Sequence, residues 1–294
     1  SATETFATEY EPLLPDTPIA VLVNGNTASS AEIVSGAIQD LDRGVLVGQR
    51  SFGKGLVQST APVGFGNYVK MTSAKYYIPS GRCIQAVRYS QDGRAQMMPD
   101  SLVGEFRTAR GRKVYDGGGI APDITTDTEY VSNFAVALYL TGAIDDFCDD
   151  YMRRHHADAI DSRTFAITDA DYDDFAKMVA GRDIPYKSES RRALDVLRAA
   201  LEKERLSNAV GDALDSIDER LHDDKMSNLR TYRREIEKSI TTNIVMRFAY
   251  AAGAIENSLS DDTDIERAIA LLNDAAEYNR ITTEQDTQKS RNEQ

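Results

Sequence analysis

An α/β core followed by an all-helical C-terminal region is the fold class this sequence predicts, and three observations predict it. A continuous apolar run, Ile19–Val23, is led by Pro18 and followed by a helical repeat from Ser29 onward, the texture of a buried strand feeding a helix. A second block, Phe65–Ile78, sets Tyr68, Val69, Met71, Tyr76 and Ile78 among Gly, Thr and Lys and ends in the turn signal PSGR, which reads as a β-region. Beyond Pro185 no proline follows, and residues 186–294 hold only Gly211 and Gly253, so little interrupts helix there. The expected division is 1–128 for the core, 129–185 for a helical connector and 186–294 for a helical domain.

Taken in order, the opening SATETFATEYEPLLPDTP is polar and proline-punctuated, and Asn24–Asn26 supplies the turn after the first strand. In the helix that follows, Ile33, Val34, Ala37, Ile38 and Leu41 recur at helical spacing, which predicts an apolar face packed on a sheet. The β-region 65–78 is expected as a meander on that sheet. Ile84–Val114, more polar and carrying QDGR and ARGRK, is expected as a loop-rich excursion with solvated arginines. Gly117–Gly119 lacks the lysine and Ser/Thr of a phosphate-binding loop and reads as a tight turn.

Val131–Leu140 and Tyr172–Val179 are expected helices. DADYDD (169–174) starts like a calcium loop, yet Asp174 and Ala180 stand where Gly and Glu are required, so acidic residues at a helix start explain it better. Met226, Leu229, Tyr232, Ile236, Ile240, Ile244 and Phe248 predict one long amphipathic helix, and Ile265, Ile269, Leu272 and Ala276 another. The tail from Thr282 to Gln294 is polar and expected to fray.

Composition narrows the function. A net charge of −13 with no basic aromatic stripe opposes nucleic-acid and anionic-membrane binding. Cys83 and Cys148 are too few for a disulfide framework, and the adjacent His155 and His156 diverge on a helix, so no metal set is expected. No organic cofactor motif is present either.

Chemistry concentrates between Val21 and Gln58. Ser29 falls at a helix N-terminus, where unpaired amides, that of Ser30 first, can hold the oxyanion of a tetrahedral intermediate. Serine is also a preferred N-cap, and Ser29 to Glu32 has capping-box spacing, so capping alone would explain it. Lys54, between Gly53 and Gly55, changes the weighing: by the period of two it shares a strand face with Leu56 and Gln58, where an amide can orient the amine. To act as a base such a lysine must be uncharged, and burial can lower a lysine pKa by about 3–5 units. Burial of Lys54 is therefore expected.

The segment NGNTASSAEIVSGAIQDLDRGVLVGQRSFGKGLVQ resembles the core of the C-terminal processing peptidases, or tail-specific proteases, and the likeness continues through MTSAKYYIPSGRCIQ and VYDGGGIAPDI. Carried over by position, the resemblance makes Ser29 the nucleophile, Lys54 the general base and Gln58 the residue that positions it, with 25 residues from Ser29 to Lys54 as in the family. The family usually reads Ser-Ala-Ser-Ala-Ser-Glu; here Thr27-Ala28-Ser29-Ser30-Ala31-Glu32 stands, and the register on Glu32 selects Ser29. The resemblance implies a partial crotonase/Clp-like peptidase core, protein or peptide substrates, no metal or cofactor, and export to the periplasm or cell envelope.

These peptidases also carry a PDZ module and an Asn-Pro-Gly-Gly-type loop upstream, and neither occurs in this sequence. The expectation is a C-terminal piece of a longer precursor, inactive alone and able to associate with the N-terminal part or with another copy. Two other classes stay open at this point: a non-catalytic helical scaffold on a degenerate peptidase fold, and a crotonase-type acyl-CoA enzyme, which would not require Lys54.

Overall fold

A computed structural model describes residues 4–89, 94–99, 102–127, 131–155, 160–221 and 224–283. By contact the chain separates into two compact units, Ser1–Thr128 with Thr263–Gln294, and Glu129–Asp262.

The first unit starts with β1 (Ala20–Val23), α1 (Ser30–Asp40) and β2 (Val45–Gly48), the two strands parallel with Val21 opposite Leu46. A helical crossover is what parallel pairing requires. β3 (Leu56–Gly64) and β4 (Asn67–Lys75) form an antiparallel hairpin, β5 (Val87–Tyr89) pairs with β6 (Ala95–Met97), and β7 (Glu105–Arg107) pairs with β8 (Lys113–Tyr115). β9 (Ile124–Thr125) then adds parallel to β2, giving the order β1-β2-β9. As the central strand, β2 is buried on both faces. Leu46 points into a cluster with Val23, Ile78, Ile84 and Ile120, while Val45 and Val47 point into another with Ala268 and Leu271, the alternation a strand imposes.

Two expectations are corrected here. The β3–β4 hairpin is a separate two-stranded sheet, exposed along nearly its whole length, and not a meander on the main sheet. Its apolar residues Val57, Val63, Phe65, Tyr68 and Met71 all face solvent, so no core draws it in. Helix α1, in turn, buries the stripe Glu32, Ser35, Gly36, Gln39 and Asp40 and leaves Ile33, Val34 and Leu41 exposed. Both stripes have helical spacing. The polar one wins because every buried group finds a partner, and because Gly36 lets Ile78 and Ile120 approach so closely that a Cβ would lie 2.7 and 2.9 Å from their Cδ1 atoms.

Those partners form a buried charge network. Arg82, 1% exposed, donates to Asp40 Oδ1 at 2.8 Å, to Gln39 Oε1 at 2.7 Å and to the Tyr115 carbonyl at 3.1 Å. Arg112, expected to be solvated, instead bonds Asp42 Oδ1 and Asp123 Oδ1, both at 2.6 Å, and Asp123 also accepts from the Leu46 amide at 2.8 Å. Desolvation pulls the Arg82 guanidinium below its ordinary pKa while Asp40 holds it up. Arg82→Ala strands the Asp40 carboxylate in the interior, and urea denaturation should show a loss of about 3–5 kcal/mol. A loss under about 1 kcal/mol would show that the pair is dispensable.

The second unit is helical: α2 (Asn133–Leu140), α3 (Ala143–Arg154), α4 (Asp169–Ala180), α5 (Glu189–Lys203), α6 (Ser207–Arg220), α7 (Lys225–Thr231) and α8 (Arg233–Ser258). DADYDD opens α4, capped by Thr168, whose Oγ1 accepts from the Asp171 amide at 3.2 Å. The expected long helix exists as two, broken at Tyr232, with Leu229, Ile236, Ile240 and Ile244 buried against Phe134, Leu138, Ile144, Phe147 and Phe175. Burial pushes the Cys148 thiol up to about 12. Because the unfolded thiol ionises near 8.5, this contribution to stability is complete below that pH and is lost as pH rises toward 12. Iodoacetamide at pH 8 should leave Cys148 unmodified until urea unfolds the chain; modification under native conditions would contradict its burial.

α9 (Thr263–Asn273) and α10 (Ala275–Thr283) return to the first unit. Ala268 and Leu271 cover Val45 and Val47, and the Tyr278 hydroxyl accepts from the Ile19 amide at 3.0 Å and donates to its carbonyl at 3.2 Å. By contact, residues 263–283 group with the first unit, and the boundary expected at 185/186 falls inside the second. Two buried valines on the outer sheet face need a cover, and α9 supplies it. Thr282 and Thr283, expected to fray, close α10, and residues 284–294 lie outside the described residues.

Candidate active site

Ser29 immediately precedes α1 and has φ 59° and ψ −121°. An ordinary N-cap sits in the β-region. A non-glycine residue held at positive φ costs about 1–3 kcal/mol, so capping alone does not account for this backbone. Strand-to-helix turns of this strained kind present a serine Oγ outward in other hydrolases. Ser30, the first helical residue, is exposed, and its amide belongs to the set that a helix leaves unpaired.

The turn before Ser29 closes on itself, with Thr27 N–H on the Asn24 carbonyl at 2.8 Å and Asn24 N–H on Thr27 Oγ1 at 3.0 Å. The segment after β2 is tied to it: Phe52 N–H donates to the Thr27 carbonyl at 2.9 Å. The main connection is Glu32, fully buried. Its Oε2 accepts from the amides of Ser29 at 2.9 Å and Lys54 at 2.8 Å, and its Oε1 accepts from the Gly53 amide at 2.7 Å and Ser51 Oγ at 2.6 Å. One oxygen thus holds the backbones of Ser29 and Lys54 side by side. Ser51 Oγ in turn accepts from the Ile120 amide at 2.7 Å.

The two glycines around Lys54 are required by close approach. Gly53 has φ 86°, and a Cβ there would sit 2.4 Å from Ala86 Cβ; at Gly55 a Cβ would sit 2.9 Å from the Gln85 amide nitrogen. Gly55 N–H donates to Gln85 Oε1 at 2.8 Å and Ala86 N–H to the Gly53 carbonyl at 3.0 Å. The backbone of residues 51–55 is therefore fixed on both sides.

The side chains are placed differently from the expectation. Lys54 is exposed, not buried, and among the described residues its amine makes no ion pair. The hairpin that follows it carries no apolar layer over it, which is why water reaches the amine. Gln58 is exposed on β3, opposite Thr72, and a register shift lies between Val57 and Gln58. That irregularity breaks the strict alternation which put Lys54, Leu56 and Gln58 on one face, and Lys54 itself precedes the strand. No hydrogen bond joins Gln58 to Lys54 among the described residues.

Glu32, Ser51 and Tyr76 are the residues that reading the sequence did not assign to the site. Glu32 was visible only as a cap and as an anchor of register. The stripe 32, 35, 36, 39 and 40 is the signal that could have found it, since polar residues at helical spacing can be the inward face when each has a partner. Tyr76, expected within a strand, follows β4, and its hydroxyl donates to the Lys54 carbonyl.

Among the described residues no group of His, Cys, Asp and Glu could hold a metal ion, and no helix is long and apolar enough to cross a membrane.

Comparison with known proteins gives two separate family matches along the chain. Residues 1–94 match the family model for Peptidase family S41, and residues 134–272 match that for "Probable PDZ-protease, C-terminal helical domain". A carboxy-terminal-processing protease of Bartonella bacilliformis is 44% identical over 87 residues, 30% of this chain and 20% of the relative. The chloroplastic C-terminal processing peptidase of Tetradesmus obliquus is 40% identical over 93 residues, 31% of this chain and 20% of the relative. Among solved structures, a photosystem II D1 C-terminal processing protease is 30% identical, with 40% of this chain and 22% of that one covered and a TM-score of 0.26. The chain spans about a fifth of the length of the curated relatives it matches. Residues 1–94 are thus similar to Peptidase family S41, and residues 134–272 to the C-terminal helical domain of probable PDZ-proteases.

Proposed function

We propose that this chain carries the catalytic centre of a serine endopeptidase of the C-terminal processing type. The observation that supports it most is the strained Ser29 at the head of α1, held beside Lys54 through one buried carboxylate oxygen of Glu32. In this reading Ser29 Oγ attacks the scissile carbonyl as its proton passes to Lys54 Nζ, and the Ser30 amide donates to the oxyanion. The Lys54 ammonium then protonates the leaving amine, and the acyl-enzyme is hydrolysed by water that Lys54 deprotonates in turn. Gln58 orients the lysine once the β3 segment is engaged.

Lys54 is exposed here, whereas proton transfer of this kind belongs to a site closed to water. The reading therefore assigns the apolar cover to bound substrate or to further chain, and expects the 294-residue polypeptide alone to be slow. It further assigns the parallel β1-α1-β2 unit to a crotonase/Clp-like core, the substrates to proteins or peptides, and the location to the periplasm or envelope, the last resting on family resemblance alone. A serine-reactive fluorophosphonate probe tests it: the full-length protein should be labelled, and Ser29→Ala and Lys54→Ala should each abolish labelling. Labelling that persists in both variants would remove the proposal.

A further inference from the structure

The glycine turn 117–119 ends against Ser51, in the segment that leads from β2 to Lys54. Gly119 has φ 72°, and a Cβ there would lie 2.4 Å from the Ser51 carbonyl oxygen and 2.9 Å from its Oγ, so glycine alone admits this approach. Ile120 is thereby laid on Ser51. The Ser51 amide donates to the Ile120 carbonyl at 3.0 Å, and the Ile120 amide donates to Ser51 Oγ at 2.7 Å. An amide N–H can only donate, so Ser51 Oγ accepts there and its own proton goes to Glu32 Oε1 at 2.6 Å. Ser51, Ile120 and Glu32 are all buried.

What this arrangement fixes is an angle. The terminal torsion of a glutamate is soft, and turning it moves both carboxylate oxygens together. Oε1 is held by two donors, Ser51 Oγ and the Gly53 amide at 2.7 Å, and that sets where Oε2 stands. Oε2 accepts from the amides of Ser29 at 2.9 Å and Lys54 at 2.8 Å. An unbroken series of hydrogen bonds therefore runs from Ile120 through Ser51 and Glu32 to the backbones of Ser29 and Lys54.

We propose that Ser51 is a positioning residue of the peptidase centre, its hydroxyl oriented by the Ile120 amide so that it fixes the Glu32 carboxylate and, through it, the separation of the Ser29 and Lys54 backbones. The proposal rests on the reading of Ser29 and Lys54 given above. It also gives the glycine turn a role, since Gly119 is what lets Ile120 reach Ser51.

The test is peptide cleavage by the full-length protein with Ser51→Ala, which removes the hydroxyl and keeps a small side chain, the folded fraction being measured by urea denaturation. A displacement of about 1 Å costs about 100-fold, so kcat of the folded protein should fall about 10- to 100-fold with KM unchanged. Hydrogen exchange at the Ser29 and Lys54 amides should accelerate in the same variant. A merely structural Ser51 would lower the denaturation midpoint and leave both kcat and that exchange as they were. That result, with cleavage abolished in Ser29→Ala, would overturn the role of Ser51 and leave the centre standing. Should Ser51→Ala fail to fold, Ser51→Cys carries the same test, because a thiol is a weak donor and a weak acceptor; natural kcat in that variant overturns the proposal equally. Cleavage that survives Ser29→Ala overturns the centre, and the Ser51 proposal with it.

Discussion

Ser29→Ala is expected to reduce peptide cleavage by the full-length protein by about 10⁴- to 10⁶-fold, the scale of nucleophile knockouts in serine peptidases. The size follows from the chemistry, because in this reading Ser29 Oγ is the atom that carries the acyl group. Ser29→Gly should lose activity to the same extent but gain stability. Glycine adopts positive φ freely, so removing a side chain held at φ 59° recovers about 1–2 kcal/mol of backbone strain. Alanine keeps that strain and should leave the denaturation midpoint near that of the natural protein. Activity lost together with stability gained would show that the strained serine is kept for its reaction. An alanine variant about 0.5–2 kcal/mol less stable than the natural protein, with the glycine variant no more stable than the natural one, would mean that Ser29 is a structural cap whose side chain contributes to helix stability.

The second large effect is expected at Glu32. Glu32→Ala removes the acceptor of four hydrogen bonds in a site with no exposure, stranding the amides of Ser29, Gly53 and Lys54 and the hydroxyl of Ser51. Each stranded group costs about 1–3 kcal/mol, and part of this is recovered where water enters, so a loss of about 3–5 kcal/mol in urea denaturation is expected. Glu32→Gln is the sharper probe. It preserves volume but turns an NH₂ donor toward N–H donors, which should separate the Ser29 and Lys54 backbones and lower kcat about 100-fold. Hydrogen exchange at the Ser29, Gly53 and Lys54 amides should accelerate in both variants. Protection unchanged at those three amides would show that Glu32 does not hold the site together.

What could be read from the sequence was local. The run Ile19–Val23, the turn at Asn24–Asn26 and the start of a helix beside Ser29 announce themselves by period, turn chemistry and cap preference, and all three lie within a few residues of one another. The acidic opening of α4 and the buried stripe of α8 were legible for the same reason. What could not be read depends on partners far along the chain. Which of two stripes on α1 turns inward is decided by Ser51, Arg82 and Asp123, none of them near α1 in sequence. Arg112 looks solvated in ARGRK until Asp42 and Asp123 are brought to it. The return of α9 to the sheet depends on the need to cover Val45 and Val47, more than 200 residues earlier. Burial of Lys54, inferred from the chemistry it would have to perform, is not built by the residues that follow it, since β3 and β4 lie open to water.

The central claim is that the reactive oxygen of this centre belongs to Ser29. The most direct measurement is to react the full-length protein with a fluorophosphonate, digest it and locate the adduct by tandem mass spectrometry, which separates Ser29 from its neighbour Ser30. The account predicts the added mass on Ser29 alone, and its absence when Lys54 is replaced by Ala. An adduct on Ser30 or on any other residue, with Ser29 unmodified, would contradict it.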